Sequence, residues 1–186
     1  TIGDVPAEFR KAVAVQHDPD ALAGFPRWIG ASGESSPKLA DIDGDGVRDI
    51  VLATADGDVH AIRWDGAEAP GWPVHVRLLP GMDPSDTPNY RDSSAFATAA
   101  IDRDEQRSAI VATPAVADLT GDGDLEVVVA TEEGQVWAWH ADGSVVDGFP
   151  VACDPSLSPP ADPDHPIDIG FFASPVLADL LGDGDL

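Results

Sequence analysis

Lysine is almost missing from this chain: Lys11 and Lys38 are the only two, and lysine and arginine together number 10 against 34 aspartates and glutamates. The formal net charge of −24 repels nucleic acid and anionic membranes, so neither is expected as a partner and cations are. A single cysteine, Cys153, excludes an intrachain disulfide and leaves stability to packing or metal. Alone, it reads as a small apolar side chain rather than a nucleophile. No apolar run approaches the roughly 20 residues of a membrane span, so no membrane insertion is expected within this segment. The first ten residues lack the basic-then-apolar order of a signal peptide. With no starting Met and an end inside a motif, the chain is read as a piece of a longer protein. Catalytic signatures are absent too: there is no Gly-x-Ser-x-Gly elbow, His-Glu-x-x-His helix or phosphate-cradling glycine loop. His17, His60, His75, His140 and His165 are scattered, and no enzymatic activity is expected.

What the chain does have is a repeat. Residues 36–74 lie over 113–151 without a gap, every position moving by 77. The shared residues are turn formers and carboxylates: Pro37/Pro114, Asp41/Asp118, Gly44/Gly121, Asp45/Asp122, Gly57/Gly134, Asp65/Asp142, Gly71/Gly148 and Pro73/Pro150. A third copy opens at Ser174, Pro175, Ala178 and Asp179, while Gly24-Phe25-Pro26 is the tail of an earlier one.

Inside each unit the pattern is all-β. A short apolar strand precedes an acidic loop, and a β-branched run follows it, Ile50-Val51-Leu52 or Val127-Val128-Val129. Asp56-Gly57 and Asp65-Gly66 read as hairpin turns, because glycine tolerates positive φ. The last strand carries proline at its start, which suits a sheet edge. Four-stranded antiparallel sheets result, and their continuous apolar runs imply cover on both faces. Trp137 and Trp139 are read as alternating onto opposite faces of their strand, packing between units. His60 aligns with Trp137 and is read as a packing or surface residue. Two stretches interrupt the spacing, 78–110 and the proline-rich 153–170, and both are expected to be irregular surface insertions.

The acidic loop is where the chemistry lies. Asp41, Asp43, Asp45 and Asp49 put side-chain oxygens at positions 1, 3, 5 and 9, Val47 offers a backbone carbonyl at 7, and Gly46 lets the chain wrap. A calcium ion takes about six to eight oxygens at roughly 2.3–2.6 Å, which such a loop plus water can supply. The second copy reads Asp118, Thr120, Asp122, Asp124 and Glu126, with Asp124 in the carbonyl position. The third reads Asp179, Leu181, Asp183 and Asp185, its third position without an oxygen. Counting ligands ranks affinity in the order Asp41 loop, Asp118 loop, Asp179 loop. An EF-hand would need a carboxylate at position 12, where Leu52 and Val129 stand.

These motifs resemble the FG-GAP/VCBS repeat family of integrin-α-like propellers. The resemblance implies four-stranded blades in a ring of about seven, with a structural calcium in each acidic turn. On it, the chain divides into the end of a blade (1–30), a blade (31–77) with calcium loop 41–49, an insertion (78–110), a blade (111–152) with calcium loop 118–126, a proline-rich insertion (153–170) and the start of another blade (171–186). The implied role is an extracellular or cell-surface scaffold that binds protein or carbohydrate, for instance in adhesion. The alternative is an accessory, non-catalytic propeller of a secreted enzyme, such as a polysaccharide lyase, glycoside hydrolase or protease.

Overall fold

The computed structural model describes residues 20–98, 106–154, 170–184 and 186. The expectations for Asp185 and for residues 1–19 and 155–169 lie outside the described residues. Two four-stranded antiparallel sheets make up the fold. The first holds β1 (Lys38–Ala40), β2 (Asp49–Ala53), β3 (Asp58–Ile62) and β4 (Val74–His75) in sequential order. The second holds β5 (Ala115–Ala117), β6 (Glu126–Ala130), β7 (Gln135–Trp139) and β8 (Val151–Ala152). Every strand boundary and every register obeys the 77-residue shift: Lys38 pairs with Val51 as Ala115 does with Val128, and Ile50 with Ile62 as Val127 does with Trp139. No helix falls between Pro37 and Val74.

The shift is faithful because the turn chemistry repeats. Gly57 N–H donates to Thr54 O and Gly134 N–H to Thr131 O, both at 3.1 Å, closing the β2–β3 and β6–β7 hairpins. Both glycines have positive φ, as these turns require. The Gly-aromatic-Pro tail recurs three times: Phe25, Trp72 and Phe149 each donate N–H to the carbonyl three residues back, at 3.1 Å.

The sheets stack with unlike faces together. Val51, Ala53, Val59 and Ala61 of the first join Val127, Val129, Trp137 and Trp139 of the second in one buried cluster. By the 77-residue shift, the second group corresponds to Ile50, Leu52, His60 and Ile62, which point to the other side of the first sheet. Each sheet thus presents one face forward and a different one backward. The forward face of the second sheet, with Val128 and Ala138, packs in turn against Leu177 of the third copy. A ladder along the first strands repeats the same step: Ser36 N–H donates to Thr113 Oγ1 and Thr113 N–H to Ser174 Oγ, both at 3.0 Å.

Three expectations need correction. Trp137 and Trp139 share one face and stack, with centroids 5.6 Å apart and planes 12° from parallel; residues two apart in a strand point the same way, so alternation never separates them. Cover on both faces holds for β6, buried at all five positions, but β2 alternates, with Ile50 and Leu52 only half-buried. The segment before the first sheet meets that face more loosely, through Gly33 against Leu52 and an Ala55 N–H to Ser32 O bond of 2.9 Å. The described parts of the stretch 78–110 are also more ordered than a plain loop. Leu78 and Arg107 form a bridge that closes its ends, and a 3-10 turn at Tyr90–Asp92 leads into a one-turn helix, α1 (Ser94–Ala97), that buries Phe96.

Candidate metal sites

Both complete acidic loops join the first two strands of a sheet, and hydrogen bonds aim their carboxylates inward. In the first loop, Asp41 Oδ2 accepts from Gly46 N–H at 2.9 Å, Asp43 Oδ1 from Asp45 N–H at 3.2 Å, and Asp45 Oδ1 from Val47 N–H at 2.8 Å. Asp49 heads β2, is 1% exposed, and accepts from Ile42 N–H at 3.0 Å. Oxygens of Asp41, Asp43 and Asp49 come within 4.8 Å of one another. Asp41 Oδ1 is buried without a hydrogen-bond partner, a position costly for a carboxylate oxygen unless something cationic meets it. Burial pushes the Asp49 carboxyl above the usual carboxylate range, with the charges of Asp43 and Asp45 acting the same way. The loop is a cage of negative charge built before any ion arrives, so its donor set fits a hard cation. Val47 lends its N–H to Asp45, and its side chain is exposed.

Asp45 stands apart from that trio. The Val47 N–H and then the Arg63 guanidinium hold its carboxyl below the usual range. Arg63, the residue after β3, reaches Asp45 Oδ2 with Nη2 at 2.9 Å and Asp43 Oδ2 with Nε at 3.0 Å.

The second loop gathers different atoms. Asp118 accepts from Gly121 N–H at 2.7 Å and Gly123 N–H at 3.0 Å, while Asp122 Oδ1 accepts from Asp124 N–H at 2.9 Å. Glu126 is fully buried, and its Oε2 accepts from the amides of Leu119 and Thr120 at 2.7 and 3.2 Å. Thr120 Oγ1 lies 3.5 Å from Glu126 Oε1, and His140 Nδ1 lies 3.1 Å from that same oxygen. The atoms brought within 4.8 Å belong to Asp122, Glu126 and His140, so Asp118 is not one of this trio. Asp124 instead lines an open cleft of about 490 Å³ with Asp41, Asp43 and Asp142, which places both loops at the same end of the stack.

In the third loop Asp179 takes four amides, from Leu181, Gly182, Asp183 and Gly184. Those of Gly184 and Gly182 hold its carboxyl low. Leu181 is exposed at the third position. Leu52 and Val129, where an EF-hand would need a ligand, lie inside β2 and β6.

Arg63 and His140 were missed in reading the loops alone. They occupy the same place, 77 residues apart, each directly after a third strand. The register was the signal: Ile50 pairs with Ile62 and Val127 with Trp139, so the next residue in each strand comes level with Asp49 or Glu126.

No protein-family profile and no curated protein matches the chain. Among solved structures, the V. cholerae biofilm matrix protein Bap1 is similar at a TM-score of 0.36 and 18% identity. The match covers 63% of this chain and 14% of that one.

Proposed function

We propose that this chain is part of a calcium-stabilised β-propeller of the FG-GAP/VCBS kind, serving outside the cell or at its surface as a non-catalytic scaffold for a protein or carbohydrate ligand. The observation that carries the reading is the front-to-back stacking of repeated sheets, each with its acidic loop in the same place. Such unlike-face packing is heterologous, the kind that can be repeated from unit to unit and that makes a ring where the rotation between units closes. The Ser36–Thr113–Ser174 ladder suits a hub at which successive first strands lie side by side.

Asp41, Asp43, Asp45 and Asp49 would hold calcium in the first loop, and Asp118, Thr120, Asp122 and Glu126 in the second. The buried, unpartnered Asp41 Oδ1 and the fully buried Glu126 favour this over a merely acidic turn. Bound calcium would supply the positive charge these carboxylates lack and lock the connection between the first two strands. No transforming chemistry is assigned to either loop.

Ion binding restricted to the folded state raises stability by RT ln(1 + [L]/Kd), about 2.7 kcal/mol at a hundredfold excess over Kd. Thermal melts with calcium and with chelator should therefore separate by several degrees, and the gap should shrink in Asp118→Asn and Asp41→Asn. Identical melts in calcium and chelator would refute the calcium role.

A further inference from the structure

The two complete loops differ most in a side chain outside them. Arg63 spans two carboxylates of the first loop. Each of Asp43 and Asp45 thus gives one oxygen to a backbone amide and faces the guanidinium with the other, Asp45 Oδ2 as a hydrogen bond and Asp43 Oδ2 as an ion-pair contact. In the second loop the equivalent residue is His140, which turns to Glu126 instead. Asp122 corresponds to Asp45, and its Oδ2 has no partner among the described residues.

We infer that Arg63 is a resident cation of the Asp41 loop, holding Asp43 and Asp45 in place of a metal and competing with calcium for them, which leaves the Asp118 loop as the tighter site. The inference rests on the reading of both loops as calcium sites, and it reverses the order that ligand counting gives. Counting treats four carboxylates as four available donors. Here two of the four already share their charge with a guanidinium that hydrogen-bonds to Asp45 and lies 3.0 Å from Asp43 Oδ2, and that group is 30% exposed rather than freely solvated. A calcium ion entering the loop must displace those contacts or sit beside a like charge. The Asp118 loop faces no such rival. No arginine or lysine among the described residues pairs with its carboxylates, and the residue in Arg63's place, His140, meets Glu126 rather than Asp122. The first loop is thereby held in shape without metal, whereas the second depends on metal for the same neutralisation.

The test is a calcium titration of the full chain followed by NMR at the Gly46 and Gly123 amides. These N–H groups donate to Asp41 and Asp118, so each reports its own loop. In the wild type Gly123 should saturate at lower calcium than Gly46. Arg63→Gln should tighten the Gly46 transition about tenfold and leave Gly123 in place, whereas Arg63→Lys, which keeps the charge, should stay near wild type. The reciprocal His140→Arg should weaken the Gly123 transition about tenfold, so the idea stays testable even if Arg63→Gln disturbs folding. Gly46 saturating first in the wild type, or Arg63→Gln leaving its transition unchanged or weaker in a folded chain, overturns the inference while the calcium reading survives. Silence of both glycines in every variant overturns both together.

Discussion

Gly71→Ala tests whether the two sheets truly meet where their backbones are closest. Gly71 has φ +87°, and a Cβ built there would stand 1.9 Å from Asp142 O and 2.6 Å from its carbonyl carbon. The approach is mutual, since a Cβ on Gly143 would fall 2.3 Å from Gly71 O. Next door, Trp72 Nε1–H donates to Ala141 O at 2.8 Å, so any separation here also strains a bond between the units. Alanine in the left-handed region costs about 1–2 kcal/mol. Forcing rigid backbone apart adds about 1–3 kcal/mol on the scale of overpacked cores. The sum, about 2–5 kcal/mol, is large against the 5–15 kcal/mol that stabilises a typical domain. Gly148→Ala is the matched control, because Gly148 has φ +90° and nothing within 4 Å of its virtual Cβ. It should cost only the conformational part, about 1–2 kcal/mol. Urea unfolding followed by far-ultraviolet circular dichroism would measure both, unaffected by local changes around Trp72. Equal costs for the two variants would refute the contact, and with it the stacking of the sheets at this edge.

Two further predictions concern pH. The hydroxyl and amide of Ser144 hold the Asp142 carboxyl below its usual range, so the stability it lends is present above its unfolded value and lost as pH falls through the folded one. Ser144→Ala should move the Asp142 titration up towards the ordinary value in a carboxyl NMR experiment, and no movement would count against the assignment. Asp49 has the opposite sign: burial raises its folded value, so its contribution is fully present below the unfolded value and lost as pH rises through the folded one. Metal-free Asp49→Asn should accordingly melt higher than wild type at pH 7 while losing calcium response at the Asp41 loop, and a lower metal-free melting temperature would contradict the cost assigned to burying that charge.

Much of the fold was legible because turns, not strands, carried the signal. Gly57, Gly66 and Gly71 and their partners 77 residues on all sit at positive φ, a demand that few other residues meet. Fixing these points fixes strand lengths and registers, which is why Lys38–Ala40 and Ala115–Ala117 fall just before their acidic loops, as the pattern led one to expect. The short helix at Ser94–Ala97 was not legible: a single turn is too brief to show a period, and its anchor is one buried side chain, Phe96. Among site residues, the loop aspartates were visible through their spacing. Arg63 and His140 were not, because their place in the site follows from strand pairing, 14 to 20 residues away in the chain from the groups they meet.

The same limit explains where the two units diverge. At the position of Trp137 the first unit has His60, buried, with Nδ1 2.9 Å from Glu68 Oε1, and Arg27 meets that same oxygen at 2.7 Å. The second unit replaces Glu68 by Val145 as it replaces His60 by Trp137. A buried imidazole demands a polar partner, and a buried indole here finds its own in Gln135 Oε1 at 3.2 Å. In the loops, Asp49 becomes Glu126 where Arg63 becomes His140. The longer glutamate reaches the loop amides with one oxygen and the imidazole with the other. Each exchange is thus a pair of changes at positions that meet in space rather than one, and position-by-position alignment treats its halves as unrelated. Glu68→Val alone should leave both His60 and Arg27 without their carboxylate and cost more than Glu68→Val combined with His60→Trp. A double-mutant cycle with no coupling between positions 60 and 68 would show that the two changes act independently on stability and refute their pairing.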